Sequence, residues 1–170
     1  MKKTILSLAA VMAAALVLAA PLARAQAWPD RPITLVVTFP PGGSTDQVAR
    51  ALAPRLGEKL KQTVLVENRA GAAGTIAAAY VKRMPADGYT FLVTSLGPLV
   101  ITPHLMRQLP YDPLKDFDPI TVAVQSPNVL VVPASSPHKT VADVIAFEKQ
   151  HPGKMSFASS GNGTSDHLTA

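Results

Sequence analysis

The sequence predicts an α/β fold built on a parallel sheet, and three observations predict it. Short runs rich in β-branched residues alternate with helix-length segments, the pattern of βαβ units. The strongest run, ITLVVTF at 33–39, is largely apolar on both faces, which suits a central strand covered by helices. Glycine-bearing stretches, PPGG at 40–43 and NRAGAAG at 68–74, follow strands where βα turns fall.

The elements follow in order. After the strand at 33–39, Pro40, Pro41, Gly42 and Gly43 end the extended run. Ser44 stands as a helix N-cap, and Gln47 three residues later has capping-box spacing. Val48, Leu52, Leu56 and Leu60 form an i, i+4 stripe on the next helix, and Pro54 inside it predicts a kink or interruption. A second strand, TVLVE, is expected at 63–67, then a helix over 75–84 stopped by Pro85 and the Asp87-Gly88 turn. A third strand, YTFLVTS at 89–95, runs into Leu96-Gly97-Pro98.

Beyond Pro98 the texture changes, with Pro103, Pro110, Pro113 and Pro119 punctuating the chain. A short helix is expected near 104–108, and strands at 120–125 and 128–132. Thr140 caps a helix that runs to about Gln150 and stops at His151-Pro152-Gly153. A further strand is expected at 154–159, a glycine loop at 160–164, and a helix from Ser165. The last residues carry no stop signal, so the sequence is expected to end in mid-element, as a truncated record would.

The N-terminus reads as an export signal. Lys2 and Lys3 precede an uncharged run over 5–20, Pro21 breaks it, and Ala23-Arg24-Ala25 offers a small-x-small cleavage site, with Ala25-Gln26-Ala27 a second one two residues on. That run falls short of the roughly 20 residues needed to span a bilayer. Cleavage after Ala25 discards Lys2, Lys3 and Arg24, and with them three of the five net positive charges of the 170-residue chain. The pI near 9.7 therefore does not indicate a nucleic-acid partner. The remaining Lys and Arg are scattered rather than arranged in a basic stripe. With no cysteine, a disulfide framework, a thiolate metal site and a lipoprotein anchor are all excluded.

Four loops, at 40–45, 68–75, 95–98 and 160–165, follow strands and carry glycine or hydroxyl side chains. In open α/β sheets, ligands sit beyond the carboxyl ends of the strands. A helix N-terminus there offers unpaired N–H groups and favours an anion by about 0.3–1 kcal/mol. Each loop alone reads as an ordinary βα turn; the four together point to a crevice for a small carboxylate. The chain contains no Gly-Lys-Ser/Thr phosphate loop and no Gly-x-Ser-x-Gly elbow, and Gly161-x-Gly163 lacks the third glycine of a dinucleotide fingerprint. Ser165, Asp166 and His167 are consecutive and point apart on a helix, so they do not make a triad. The four histidines lack metal-ligand spacing, and no cofactor is expected. Asp46, in the first turn of its helix, reads as a surface or capping acid. Arg69 has two candidate partners, a ligand carboxylate and Glu67.

Six short motifs occur in order: WPDRPI at 28–33, FPPGGSTD at 39–46, VENRAG at 66–71, DGYT at 87–90, LPYDP at 109–113 with Asp116-Phe117, and SSGNGT at 159–164 with His167-Leu168. With them the chain resembles the substrate-binding proteins of tripartite tricarboxylate transporters, the Bug-type family. The resemblance implies a periplasmic-binding-protein-like, type II, two-lobed fold that closes on an organic acid. It implies a signal peptide at 1–25, lobe one at 26–119 and the opening of lobe two at 120–170. Family members are roughly twice as long. The positions matching the family's ligand-binding groups are Pro41, Gly42, Gly43, Ser44, Thr45 and Asp46, then Ser95 and Gly97, then Ser160, Gly161, Asn162, Gly163 and Thr164, with His167 behind them. The implied partners are a small organic acid and either the transporter's membrane subunits or a sensor, with the full-length protein a monomer. Ala70 stands where a family variant has proline. The competing readings are a small exported hydrolase or transferase using Ser44 or Thr164 as nucleophile, and a fragment without activity. The enzyme reading lacks a general base in reach.

Overall fold

A computed structural model describes residues 28–170, so the export signal at 1–25 lies outside the described residues. All elements below belong to the unit Arg31–Ala170. Strand β1 (Ile33–Val37) occupies the centre of a three-stranded sheet of order β2-β1-β3 and pairs in parallel with β2 (Val64–Asn68) and β3 (Thr90–Val93). Ile33 sits opposite Val64, and Thr34 opposite Thr90. The central position is what the sequence pattern demands: Ile33, Leu35, Val36 and Val37 are all buried.

Helix α1 (Ser44–Leu60) connects β1 to β2. It starts one residue earlier than expected: Gly43, not Ser44, is the N-cap, Ser44 is already helical, and no side chain caps the end. The expected capping box is not formed; Gln47 donates its side-chain amide to the Gly42 carbonyl instead, at 3.1 Å. The face on the sheet also differs from the leucine stripe. Asp46, Ala49 and Ala53 are the buried residues, while Leu52 is exposed. Alanine has no bulk beyond Cβ, so the helix lies close enough for Ala49 and Ala53 to join Leu35 and Val37 in one core, flanked by Val64, Val66, Phe91 and Val93. The helix runs through Pro54 without a break. Pro54 is exposed, so water reaches the Arg50 carbonyl that the missing N–H leaves unpaired.

A 3₁₀ turn (Ala72–Gly74) leads into helix α2 (Thr75–Lys82), whose buried Ala77, Ala78 and Ala79 pack beneath the sheet edge. A second core joins Ala78 and Ala79 to Tyr111, with Leu92, Leu109 and Phe117 around them. The Tyr111 hydroxyl donates to the Pro98 carbonyl at 2.7 Å, and burial pushes its pKa up to about 12. After β3 the chain takes a π-helical turn (Gly97–Ile101) and a short helix α3 (Thr102–Leu105). This is earlier than the helix expected near 104–108, because Met106 is already extended.

The strands expected at 120–125, 128–132 and 154–159 do not form; the chain there makes no ladder among the described residues. β-Propensity records a preference for a half-buried pleated surface, and β1 already has a neighbour on each side. Ile120, Val122, Val129 and Val131 are left exposed, Val131 at 79%. Helix α4 (Val141–Gln150) follows the sequence reading: Thr140 and Asp143 complete a reciprocal capping box. Helix α5 (Ser165–Thr169) starts after Thr164. No helix among the described residues is long and apolar enough to cross a membrane.

Candidate ligand-binding site

Because the strands are parallel, the loops after β1, β2 and β3 all leave the same edge of the sheet. The loop after β1 is held from inside. Asp46 is 2% exposed, which corrects its reading as a surface acid. Its carboxylate accepts the Gly42 N–H at 2.8 Å, the Arg50 Nε–H at 2.9 Å and the Asn68 side-chain amide at 2.8 Å. The Asn68 amide also reaches the Phe39 carbonyl at 3.1 Å, and Arg50 donates to the Asn68 side-chain oxygen at 3.1 Å. This closed ring ties the 41–46 loop to the end of β2.

Arg50, then the Gly42 N–H and Asn68, hold the Asp46 pKa down at about 2. A folded pKa below the unfolded one means that Asp46 contributes its full stability above about pH 4 and loses it as pH falls towards 2. Wild-type protein is therefore expected to melt progressively lower across that window, and its margin over Asp46→Asn should narrow there. Calorimetric melts from pH 6 to 2 check this; a margin unchanged to pH 2 would contradict it.

Gly42 is the loop residue in left-handed conformation, at φ +86°, whereas Gly43 has an ordinary φ of −70°. Helix α1 directs its first N–H groups and its dipole into this loop. The Thr45 hydroxyl is buried and makes no hydrogen bond within the chain.

The other expected loops meet. A Cβ built on Gly97 would lie 3.3 Å from both the Ala73 and Gly163 carbonyl oxygens, and 3.8 Å from Ser95 Oγ. One on Gly163 would lie 3.8 Å from Ala73 Cβ, with Thr102 Oγ1 and Leu105 behind it. Backbones after β2, after β3 and before α5 therefore touch at one point with no side chain between them. Gly163 and Thr164 are buried there, and the Thr164 hydroxyl donates to the Gly161 carbonyl at 2.6 Å. Asn162 is exposed, and Ser160 donates its N–H and hydroxyl to Asp166. His167 lies with its ring 6.2 Å from that of Phe157 and a buried Nδ1 that makes no hydrogen bond within the chain.

Some participants were not singled out from sequence. Ala72 and Ala73 adopt left-handed φ of 46° and 52°, which alanine disfavours and which composition does not announce. Asn68, Arg50 and Thr102 support the loops from behind; Thr102 donates its hydroxyl to the Gly97 carbonyl at 2.9 Å. Arg69 takes the structural partner of its two candidates. It pairs with Glu67 at 2.6 Å, and its guanidinium carbon sits 3.5 Å from the centroid of the Tyr80 ring. None of the expected site residues is a lysine or arginine, so the candidate donors are backbone N–H groups, hydroxyls, the Asn162 amide and the His167 ring.

The family described as "tripartite tricarboxylate transporter family receptor" matches residues 48–170. A protein of Pseudomonas sp. (strain P51), "UPF0065 protein in tcbD-tcbE intergenic region", is 44% identical over 147 residues, covering 86% of this chain and 44% of its own length. Protein BugT of Bordetella pertussis is 41% identical over 152 residues, covering 89% of this chain and 46% of its own. Among solved structures, "R. palustris Rpa4515 with adipate" is similar at a TM-score of 0.80 and 42% identity, covering 84% of this chain and 48% of that one. "MatC (Rpa3494) from Rhodopseudomonas palustris with bound malate" is similar at 0.68 and 35% identity, covering 73% and 42%. The chain spans about half the length of the relatives it matches. The resemblance drawn from the six ordered motifs is borne out, as is the periplasmic-binding-protein-like fold class. The chain belongs to the tripartite tricarboxylate transporter receptor family.

Proposed function

We propose that this protein is a periplasmic solute-binding receptor that captures a small organic acid and delivers it to the membrane subunits of a tripartite transporter or to a sensor. The observation that carries the reading is the convergence of the Ala73, Gly97 and Gly163 backbones at the carboxyl edge of a parallel sheet. In this reading one carboxylate of the acid is held by those N–H groups and hydroxyls of Pro41–Asp46, Ser95–Gly97 and Ser160–Thr164 that the chain leaves free, the Gly42 N–H, the Ser160 N–H and hydroxyl and the Thr164 hydroxyl being engaged within the loops. The α1 dipole and the unpaired Thr45 hydroxyl add to the attraction. Pro41 contributes its carbonyl geometry alone, having no N–H. His167 flanks the site beside Phe157. The bound adipate and malate of two similar structures support a dicarboxylate as the ligand class.

The proposal divides the chain into an export signal at 1–25, lobe one at 26–119 and the first part of lobe two from 120, with cleavage after Ala25. It includes no catalytic role. The Thr164 hydroxyl is buried and engaged with Gly161, and the Asp46 carboxylate is engaged with Arg50. Titration calorimetry against dicarboxylates, tricarboxylates and aromatic acids tests the function. Saturable one-to-one binding of at least one acid without turnover is expected. Acid turnover, or binding of none of the panel, would overturn the reading. N-terminal sequencing of protein expressed in a Gram-negative host should begin at Gln26; an intact Met1 on membrane-bound product would contradict the export assignment.

A further inference from the structure

Two of the candidate loops share a local order that neither shows alone. Gly43-Ser44-Thr45-Asp46 and Gly163-Thr164-Ser165-Asp166 are both a glycine, two hydroxyl residues and an aspartate, placed where a loop turns into a helix. In both, the aspartate lies in the first helical turn and reaches back into the loop ahead of it. Asp46 accepts the Gly42 N–H at 2.8 Å, four residues back. Asp166 accepts the Ser160 N–H at 2.6 Å and the Ser160 hydroxyl at 2.9 Å, six residues back. Each spanned loop contains left-handed glycine, Gly42 at φ +86° in one, Gly161 at +127° and Gly163 at +87° in the other. A loop with that much conformational freedom needs a fixed internal partner to hold its N–H groups in one array.

We propose that Asp46 and Asp166 are equivalent positioning residues, each fixing from within the donor loop that precedes it. This rests on the carboxylate-binding reading above. Neither side chain is suited to bind the acid itself, because a carboxylate is an acceptor and would repel another. Asp46 is already surrounded by Gly42, Arg50 and Asn68. Asp166 is held ionised, at a pKa of about 2, by the Thr164 hydroxyl first and the Ser160 N–H next. Their charge is turned inward onto the loop, and the loop's remaining N–H groups are left for the ligand. The two sites differ in one useful respect. Asp46 is part of a helix face packed on the core, whereas α5 buries no residue, so the Asp166 contacts hold little besides their own loop.

The test uses the full chain, with adipate as the probe, and compares wild type with Asp166→Asn, Ser160→Ala and Asp46→Asn. Both Ser160 donors meet the same Asp166 oxygen, Oδ2, so asparagine can accept them through its one oxygen but removes the charge that strengthens both bonds. Adipate affinity should fall by about tenfold in Asp166→Asn, the weight of a charge-assisted hydrogen bond. Its melting temperature should stay at the wild-type value. Ser160→Ala, which keeps the backbone bond to Asp166 and loses the hydroxyl, should lose less affinity than Asp166→Asn. Asp46→Asn should lose affinity and also melt lower. In ¹⁵N spectra the Ser160 amide should move in Asp166→Asn and the Gly42 amide in Asp46→Asn. Adipate bound equally tightly by wild type and both aspartate variants would overturn the positioning role. So would amides that do not move. A wild-type chain that binds no adipate, nor any other acid, would instead overturn the carboxylate reading and remove the inference with it.

Discussion

Gly74→Val is expected to be the most destabilising single substitution in the sheet-and-loop core. Gly74 is buried at φ +92°, directly ahead of α2. A Cβ there would lie 2.7 Å from Pro98 Cγ and 3.0 Å from Thr38 Cβ. Neither neighbour has room to move: Pro98 and Thr38 are themselves fully buried, and the Pro98 carbonyl is held by Tyr111. Overpacking of this kind costs about 1–3 kcal/mol. A left-handed conformation adds about 1–2 kcal/mol for a residue with a Cβ, and more for a β-branched one. Together these give about 3 kcal/mol or more, enough to lower the melting temperature by roughly 10 °C. Circular dichroism melts check it. A variant melting within about 2 °C of wild type would mean that the loop after β2 is not packed as described.

Gly97→Val is expected to separate binding from stability. Gly97 does not need a left-handed backbone, so valine is conformationally permitted. What the new side chain meets are the Ala73 and Gly163 carbonyl oxygens, each 3.3 Å from the Cβ position. The Gly163 contact is relieved when the 160–164 loop moves away, since that loop belongs to no core cluster among the described residues, while the Ala73 carbonyl has to give by a few tenths of an ångström. The predicted outcome is a modest loss of stability and a loss of adipate affinity of at least about tenfold, or roughly 1.4 kcal/mol. Gly97→Ala should fall between wild type and valine. Calorimetry measures both; affinity preserved in Gly97→Val would remove the 160–164 loop from the site.

The parts of the fold legible in sequence are those fixed by local chemistry. Apolar runs on both faces identified β1, punctuation by Pro40–Gly43, Pro85 and Gly88 bounded its neighbours, and the Thr140–Asp143 spacing placed the start of α4. The misread parts depend on partners distant in the chain. Residues 120–132 have the composition of strands, but a strand exists only where another backbone pairs with it. The leucine stripe of α1 was conspicuous, yet the sheet takes the alanine face because it lets the helix approach. Asp46 reads in sequence as a surface or capping acid, and its burial is not legible there because Arg50 and Asn68 reach it only after α1 and β2 dock. The glycine loops marked where the site would be. Ala72 and Ala73 carried no such mark, since alanine is a residue that disfavours the left-handed geometry both adopt.

The central claim is that loops from the sheet edge and the 160–164 loop grip one carboxylate together. Titration of ¹⁵N-labelled protein with adipate tests it most directly. The account predicts that the amides of Gly42–Thr45, Ser95–Gly97 and Gly161–Thr164 shift together along one saturation curve, while those of α4 stay fixed. Shifts confined to a surface elsewhere, or two sets of loops saturating at different concentrations, would contradict a single shared site.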